Sequence, residues 1–530
     1  MKRFKILFIL LFLQSISYPG DFSSLGEIPI QEEGRVKPLD TFARNQLLRY
    51  YGKRSTGSDL QPVEWLIGIS INLEKTTNLP VFNLRNPEVA HTLGLEWSTD
   101  HKYSIDELFL GVQAQMDMFK AIYAKPEDAL TTVERQLAEI YMNVATYKSI
   151  QSSLSCLLND VTIDNQSIAD AIDVKLGQKV SYLRFIQYLD NMNSLIKSYP
   201  INDDKNLTSS DSSFFQILTN LNKIYSDRNA LGLRIIPPST ISEDNKWLSP
   251  WELMDGRSLD DFQLNMLLEL EEYINNKDLE SITSYKEILY SSQGDLLDSS
   301  ILKKEVWYNN INLFYKSTAL YFIAFIFLCL SYLFKPEILT KIAGLSLISG
   351  FIIHSYGLYL RMVIMGRPPV STLYESIIFV GFVGVLLSIV IEIYKKDGLG
   401  ILMGSISGLI FHYISFGYAA DGDTLGMLVA VLNSNFWLAT HVTTMTMGYG
   451  VSIIAGIMGH IYLIYSIIFP RDSKKLREIY DNTFGITLLA LFFTVFGTIL
   501  GGIWADQSWG RFWGWDPKEN GALLICMWQI

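Results

Sequence analysis

The chain has 530 residues, is 49% hydrophobic and carries a formal net charge of −11. The apolar content is high for a soluble protein and modest for one wholly embedded in lipid, so the composition is split. Residues 311–530 hold 13 Lys+Arg against 12 Asp+Glu, and residues 1–310 hold 30 against 42. The acid excess therefore belongs to a water-exposed part and excludes nucleic acid as a partner.

The start, MKRFKILFILLFLQSISYPG, has a basic head, an apolar stretch from Ile6 to Leu13 and small residues at Ser15 and Ser17. This is the shape of a signal peptide over 1–19, with an uncleaved anchor as the alternative; both put residue 20 onward outside the cytoplasm. Next comes IPIQEEGRVKPLDTFARNQLLRYYGK. Gly34 and Pro38 punctuate it, and Asp40 and Thr41 are suited to cap a helix from Phe42. Read structurally, it is a turn and a capped helix; read functionally, Arg35, Lys37 and Arg44 could meet an anion. The rest of 20–312 reads as mainly helical. ALTTVERQLAEIYMNVATYKSIQSSL and LDDFQLNMLLELEEYI carry apolar residues near a period of 3.6. IDNQSIADAIDVKLG and SYLRFIQYLDNMNSLI are further helix candidates, and INDDKNLTSSDSS is a polar linker. Cys156, Cys329 and Cys526 form no CxxC pair and no zinc spacing, which argues against thiol–disulfide chemistry by the chain itself. Cys329 and Cys526 read as small buried hydrophobes.

Apolar runs begin after residue 310. Spans are expected at about 318–334, 340–360, 373–394, 399–417, 437–469 and 482–504. A seventh run starts near Lys518 and stops at Ile530, short of the ~20 residues that cross hydrocarbon, so the sequence reads as a C-terminally truncated piece. The expected fold is thus all-α: a polytopic integral membrane helix bundle over 313–530, with six complete spans and an incomplete seventh, behind a large, mainly helical extracytoplasmic domain. The short loops that would lie inside carry eight basic residues and the outer ones four, which places the large domain and the 504–520 segment on the same, outer side.

That segment contains WGRFWGWDPKEN, and five of the eleven tryptophans lie between Trp504 and Trp528. An interfacial aromatic belt explains one or two of them. Three within seven residues, with Gly510 and Gly514 between, suggest a surface for a flat body. If the segment is helical, Trp509 and Trp513 share a face. Asp516 and Pro517 fit the N-cap and first turn of the next helix, and Arg511 and Lys518 stand near. Such a wall suits a flat, partly anionic ligand of the form of haem, and haem needs an axial ligand. Of six histidines, His91 and His101 read as ordinary residues of the outer domain. His354, His412 and His460 fall within spans, where an ionisable residue is a candidate by default. His441 lies one turn past Trp437 at the outer end of span five, on the same face of the membrane as the tryptophans.

These residues carry a resemblance. WGxxWxWDPKE is similar to the tryptophan-rich WWD signature of the haem-handling cytochrome c assembly family, and its Asp-Pro-Lys-Glu ending resembles the CcsA-type subunit of system II cytochrome c synthase. IHSYGLYLRMVIMGRPPVSTLYESIIF from Ile353, and NSNFWLATHVTTMTMGYG around His441, resemble further family segments. GRVKPLDTFAR resembles a stretch that precedes this subunit in fused synthases. The resemblance implies c-type cytochrome biogenesis at the bacterial inner membrane, with the large domain and the WWD segment periplasmic. Haem is held outside and presented for thioether attachment to the CxxCH motif of apocytochrome c. It implies His441 as an iron ligand and Trp509, Trp513, Trp515 and Asp516 as the cradle, with Trp504, Arg511 and Lys518 beside it. It also implies a ResB/CcsB-like companion subunit and thiol-reducing proteins as partners. No general base or nucleophile is assigned, so catalysis would consist of positioning. Two alternatives stay open: a haem transporter or chaperone without ligation activity, and an electron-transfer subunit holding haem b or quinone, with His354 and His412 as a ligand pair.

Overall fold

The structure, a computed structural model, describes residues 23–199, 209–228, 232–239, 245–255, 259–294, 297–334, 336–420, 422–429 and 432–530. The expected signal peptide lies outside them. The chain divides into two compact units, one ending at Val306 and one running from Trp307 to Ile530.

The first unit is helical apart from three two-stranded antiparallel sheets among the described residues. One of these sheets, Pro29–Glu32 paired with Arg35–Pro38, opens the segment that the sequence reads as a turn. Glu33 and Gly34 both have positive φ, 51° and 77°, as a two-residue hairpin requires. The adjoining helix runs Leu39–Tyr51 from a Pro38 N-cap, not from a cap by Asp40 or Thr41. The reason is that both side chains are otherwise engaged: Asp40 accepts from Arg44 at 2.8 Å, and Thr41 donates to Glu305 at 2.8 Å. The three expected anion-binding cations are likewise taken by the chain's own carboxylates. Arg35 pairs with Glu305, Lys37 with Glu32 at 2.7 Å, and Arg44 with Asp40. The turn of the structural reading therefore holds, whereas its side-chain cap does not form.

Downstream, the long amphipathic helix runs Thr132–Ser152 behind a capping box of Thr131 and Glu134, and a second runs Asp261–Asn276 from the Asp260 cap. SYLRFIQYLDNMNSLI is two helices, Tyr182–Gln187 and Leu189–Ser198, split at Tyr188. The linker's last five residues, Ser209 to Ser213, open a helix that continues to Ser226, while its earlier part lies outside the described residues. The core centres on Tyr50, Trp65, Phe82 and Tyr147, all buried and in edge or tilted contact. Cys156 is fully buried there, and burial pushes its thiol far up.

Among the described residues, the second unit holds six helices long and apolar enough to cross a membrane. Its spans are Leu313–Ser331, Pro336–Met365, Leu373–Lys395, Leu399–Ala419, Asn435–Ile468 and Ser473–Trp509, with a short helix Pro517–Gln529 after them. Consecutive spans pair as hairpins, one on two, three on four and five on six, and span three also packs on five and span one on four. Span six is longer than its apolar run. Lys474, Lys475 and Arg477 ride on its first turns, because helical backbone bonds hold in water as well as in lipid. Ion pairs Lys395–Glu478 (2.7 Å) and Lys475–Asp397 (3.4 Å) flank that end. Cys329 faces outward from span one and is exposed, in contrast to Cys526, which is buried. Tyr321 is gripped between two glycines: a Cβ on Gly350 or Gly408 would lie 2.8 or 2.4 Å from its ring.

Glu305, 1% exposed, joins the helix Ser299–Ile311 to the N-terminal hairpin through Arg35 and to the helix that follows it through Thr41. Glu305→Ala leaves a buried guanidinium uncompensated and should cost about 3 kcal/mol. Pulse proteolysis in urea measures this; an unchanged midpoint would mean that the pair contributes nothing.

Candidate functional site

Span five begins with one turn, Asn435–Trp437, and then a π turn at Leu438–Val442 before α-helix resumes at Thr443. Such wide turns break the regular register of a helix, and they recur at functional positions. His441 sits in this one. Its Nδ1–H donates to the carbonyl of Gly497 on span six at 2.8 Å. A neutral imidazole carries a single N–H, so its lone pair stays on Nε2. The approach depends on bare backbone across the way. A Cβ on Gly501 would lie 2.6 Å from the His441 ring, and one on Gly497 would lie 2.6 Å from the sulfur of Met445.

Indoles stand over this imidazole. The Trp504 ring lies 5.8 Å from that of His441 and stacks on Trp437 at 6.2 Å and 12°. The Trp437 Nε1–H donates to Gln507 at 3.1 Å. Trp437 and Trp504 thereby form a two-ring shelf across spans five and six, beside the half-buried His441.

The segment after span six is not helical, so the expected shared face of Trp509 and Trp513 does not form. Trp509 ends the helix and Gly510 caps it in the left-handed region at φ 68°. The chain then doubles back. Phe512 lies against Gly502, whose Cβ would come within 2.5 Å of the ring, one residue from the glycine under His441. Arg511 folds over Gly514, where any side chain would collide with the guanidinium. Trp513 and Trp515 meet edge to face at 6.0 Å. Trp515 holds φ at 58°, and it and Trp509 are 68% and 60% exposed. Asp516 does cap the last helix: its carboxylate accepts from the amides of Lys518 (2.8 Å) and Glu519 (2.9 Å). Glu519 reciprocates, accepting from Gly514 (2.6 Å) and Asp516 (3.3 Å). This box fixes the tight return of the tryptophan segment. Arg511 and Lys518 are exposed.

The same end of the bundle is fastened by charges that sequence reasoning counted only as loop residues. Arg361, 1% exposed, holds Glu375 through Nε (3.0 Å) and Nη2 (2.8 Å), and it also bonds the Thr424 carbonyl and the Tyr308 hydroxyl. Arg367 donates to the Gly426 carbonyl at 2.7 Å, and Asn435 donates to that of Gly366 at 3.2 Å. The turn after span two thus anchors both the loop before His441 and the first residue of its helix. Two sequence signals could have pointed to this site: the Gly497-xxx-Gly501 pair, a small-residue stripe that permits close helix contact, and a lone Arg–Glu pair in apolar surroundings.

His354 and His412 do come together, buried between spans one, two and four. Their ring centroids are 4.5 Å apart. Tyr321 shares a 3.1 Å hydrogen bond with His354, and Ser317 a 3.4 Å one with His412. Their rings are in mutual contact, and His354 Nε2 and His412 Nδ1 are buried without a hydrogen-bond partner among the described residues. His460 is exposed and donates to its own helix at Gly456, 2.7 Å away.

Residues 370–528, which take in His412, His441 and the tryptophan segment, match the family described as Cytochrome C assembly protein. The chain is 30% identical over 266 residues to Protein NrfI of Wolinella succinogenes, covering 47% of this chain and 29% of that protein. It is 30% identical over 197 residues to the cytochrome c biogenesis protein CcsA of Guillardia theta, covering 32% and 63%. To CcsA of Cyanophora paradoxa it is 28% identical over 264 residues, covering 38% and 80%. The chain thus spans less than two thirds of the length of the first two relatives.

Cysteines placed at Trp437 and Gln507, with the three native cysteines changed to serine, should be bridged in membranes by a short bis-maleimide reagent, because the two native side chains meet end to end across spans five and six. Failure to bridge, measured as a gel shift, would contradict the packing of the shelf.

Proposed function

We infer, for a multi-pass membrane chain whose residues 370–528 belong to the cytochrome c assembly protein family, that it serves c-type cytochrome biogenesis by holding haem at the outer face of the bacterial plasma membrane. The observation that carries this reading is the His441 imidazole, whose proton is committed to Gly497 and whose Nε2 lone pair is left for iron beside the Trp437–Trp504 shelf. Neutral imidazole is a good iron ligand, and a hydrogen bond at the far nitrogen fixes the ring and raises its basicity. Trp509, Trp513 and Trp515 offer further flat surface, and Arg511 and Lys518 offer cations for the two propionates. Asp516 acts at one remove, by fixing the return of the tryptophan segment.

As substrate, haem brings the vinyl groups to which the CxxCH thiols of apocytochrome c are joined. The chain's own residues hold, orient and partly dehydrate the reactants, a contribution of proximity and not of acid–base chemistry. A ResB/CcsB-like companion and thiol-reducing proteins complete the proposed machinery. The positive-inside bias supports an outer position for the tryptophan segment and the large domain.

His441→Ala should lower the haem that copurifies with the protein on the order of tenfold, and added imidazole should restore part of it. Haem content equal to wild type would remove the assigned ligand. Arg511→Ala together with Lys518→Ala should weaken retention of haem about tenfold per lost charge-assisted contact while leaving haem dimethyl ester unaffected. Equal losses for both porphyrins, read by difference spectroscopy, would rule out propionate pairing.

A further inference from the structure

The first unit contains a cleft of about 270 Å³ at the C-terminal end of the helix Leu39–Tyr51. It is lined by Arg49, Asn83, Arg85, Glu139 and Asn143, over a floor that includes Tyr50 and Phe82. Unlike Arg35, Lys37 and Arg44 on the preceding stretch, Arg49 and Arg85 have no carboxylate partner among the described residues. The unit as a whole has more acids than bases, so two unneutralised guanidinia on one cleft are not a general property of its surface. The donors converge: Arg85 Nη2 and the Asn83 side-chain amide both lie within 4.0 Å of the point where a Cβ on Gly52 would sit.

Two further features constrain the ligand. Asn143 is 6% exposed, and its Oδ1 is buried without a donor, an acceptor that remains to be satisfied. Asn83 lies in a two-residue strand paired to Lys102–Tyr103, and the amide of Leu84 donates to His101 on that side. Backbone groups alternate along a strand, so the N–H and C=O of Asn83 point away from this partner. The cleft thus combines guanidinia, one sealed acceptor and an open backbone edge.

We propose that this cleft binds an acidic peptide segment in extended form, with a carboxylate between Arg49 and Arg85 and its main chain along the Asn83 edge. Guanidinium groups favour planar carboxylates, and an edge strand takes an added strand through main-chain bonds. A free dicarboxylate would satisfy the cations but not the edge. Glu139 on the rim opposes the charge and limits affinity.

The test uses the full chain in nanodiscs and a fluorescein-labelled decapeptide of alternating Glu and Val, monitored by anisotropy. Saturable binding is expected, weakened at least about tenfold in Arg49→Ala/Arg85→Ala and tightened in Glu139→Gln. The peptide with Gln in place of Glu should not bind, and glutarate should compete only at far higher concentration. Both arginines are exposed, so the variants should keep the wild-type melting temperature, which is checked in parallel. No saturation up to millimolar peptide, undiminished binding in the double variant, or equal binding of the Gln peptide would each overturn the proposal. Competition by glutarate at the same concentration as peptide would overturn the peptide assignment. Haem retention is not read in any arm, so the outcome stands apart from the reading of His441.

Discussion

The hydrogen bond from His441 Nδ1 to the Gly497 carbonyl is the contact on which the proposed site turns. It links two spans, sets the imidazole tautomer and aims Nε2. It exists only because span six offers bare backbone opposite the ring, at Gly497 and Gly501. Any side chain at Gly501 would displace the imidazole; one at Gly497 would strike Met445, one turn further along the helix of His441. The π turn at Leu438–Val442 belongs to the same arrangement, because it is the one irregular turn of span five and it contains His441. In lipid, irregular backbone must find its partners within the protein. Here the break in regularity sits near the helix end, where Ser434 accepts from the Trp437 amide as the N-cap and Asn435 donates to the Gly366 carbonyl.

A second constraint keeps that end of the bundle from drifting. Burying a guanidinium is costly unless every donor is used. Arg361 meets the condition with Glu375, Tyr308 and Thr424, while Glu375 also closes the capping box of span three. One buried pair therefore connects the end of span two, the start of span three and the loop before span five. The capping box of Asp516 and Glu519 does the corresponding work for the tryptophan segment. Rings that need large exposed faces are held in place by short polar contacts at their flanks, and this leaves the faces available.

Much of this was legible in the sequence, and the reasons differ by element. Six spans came from apolar length alone, since hydrocarbon thickness sets a minimum run. Their ends did not, because helices such as Ser473–Trp509 continue past the apolar limit on main-chain bonds that hydropathy cannot register. The cap at Asp516 was readable because capping is local chemistry. The shared face of Trp509 and Trp513 was not, because Gly510 ends the helix in the left-handed region and periodicity no longer applies. Arg35, Lys37 and Arg44 looked like anion ligands because their carboxylate partners include Glu305, distant in sequence and invisible to a local pattern. The hairpin at Glu33–Gly34 was missed although its turn chemistry was present, because a four-residue strand carries too little alternation to read.

The histidines show why position in a span does not by itself name a ligand. His354 and His412 are as deep in apolar sequence as any residue, yet they are sealed, in mutual contact and bonded to Tyr321 and Ser317. They lie between three helices, and each keeps one buried ring nitrogen, His354 Nε2 and His412 Nδ1, without a partner among the described residues. His460 is open and turns its Nδ1–H to its own helix. His441 alone among the histidines of the spans combines a committed Nδ1, partial exposure and an adjoining stack of indoles. Burial, tautomer and neighbours together discriminate among four residues that hydropathy treats alike, and all three properties come from contacts between spans, not from the runs that define them.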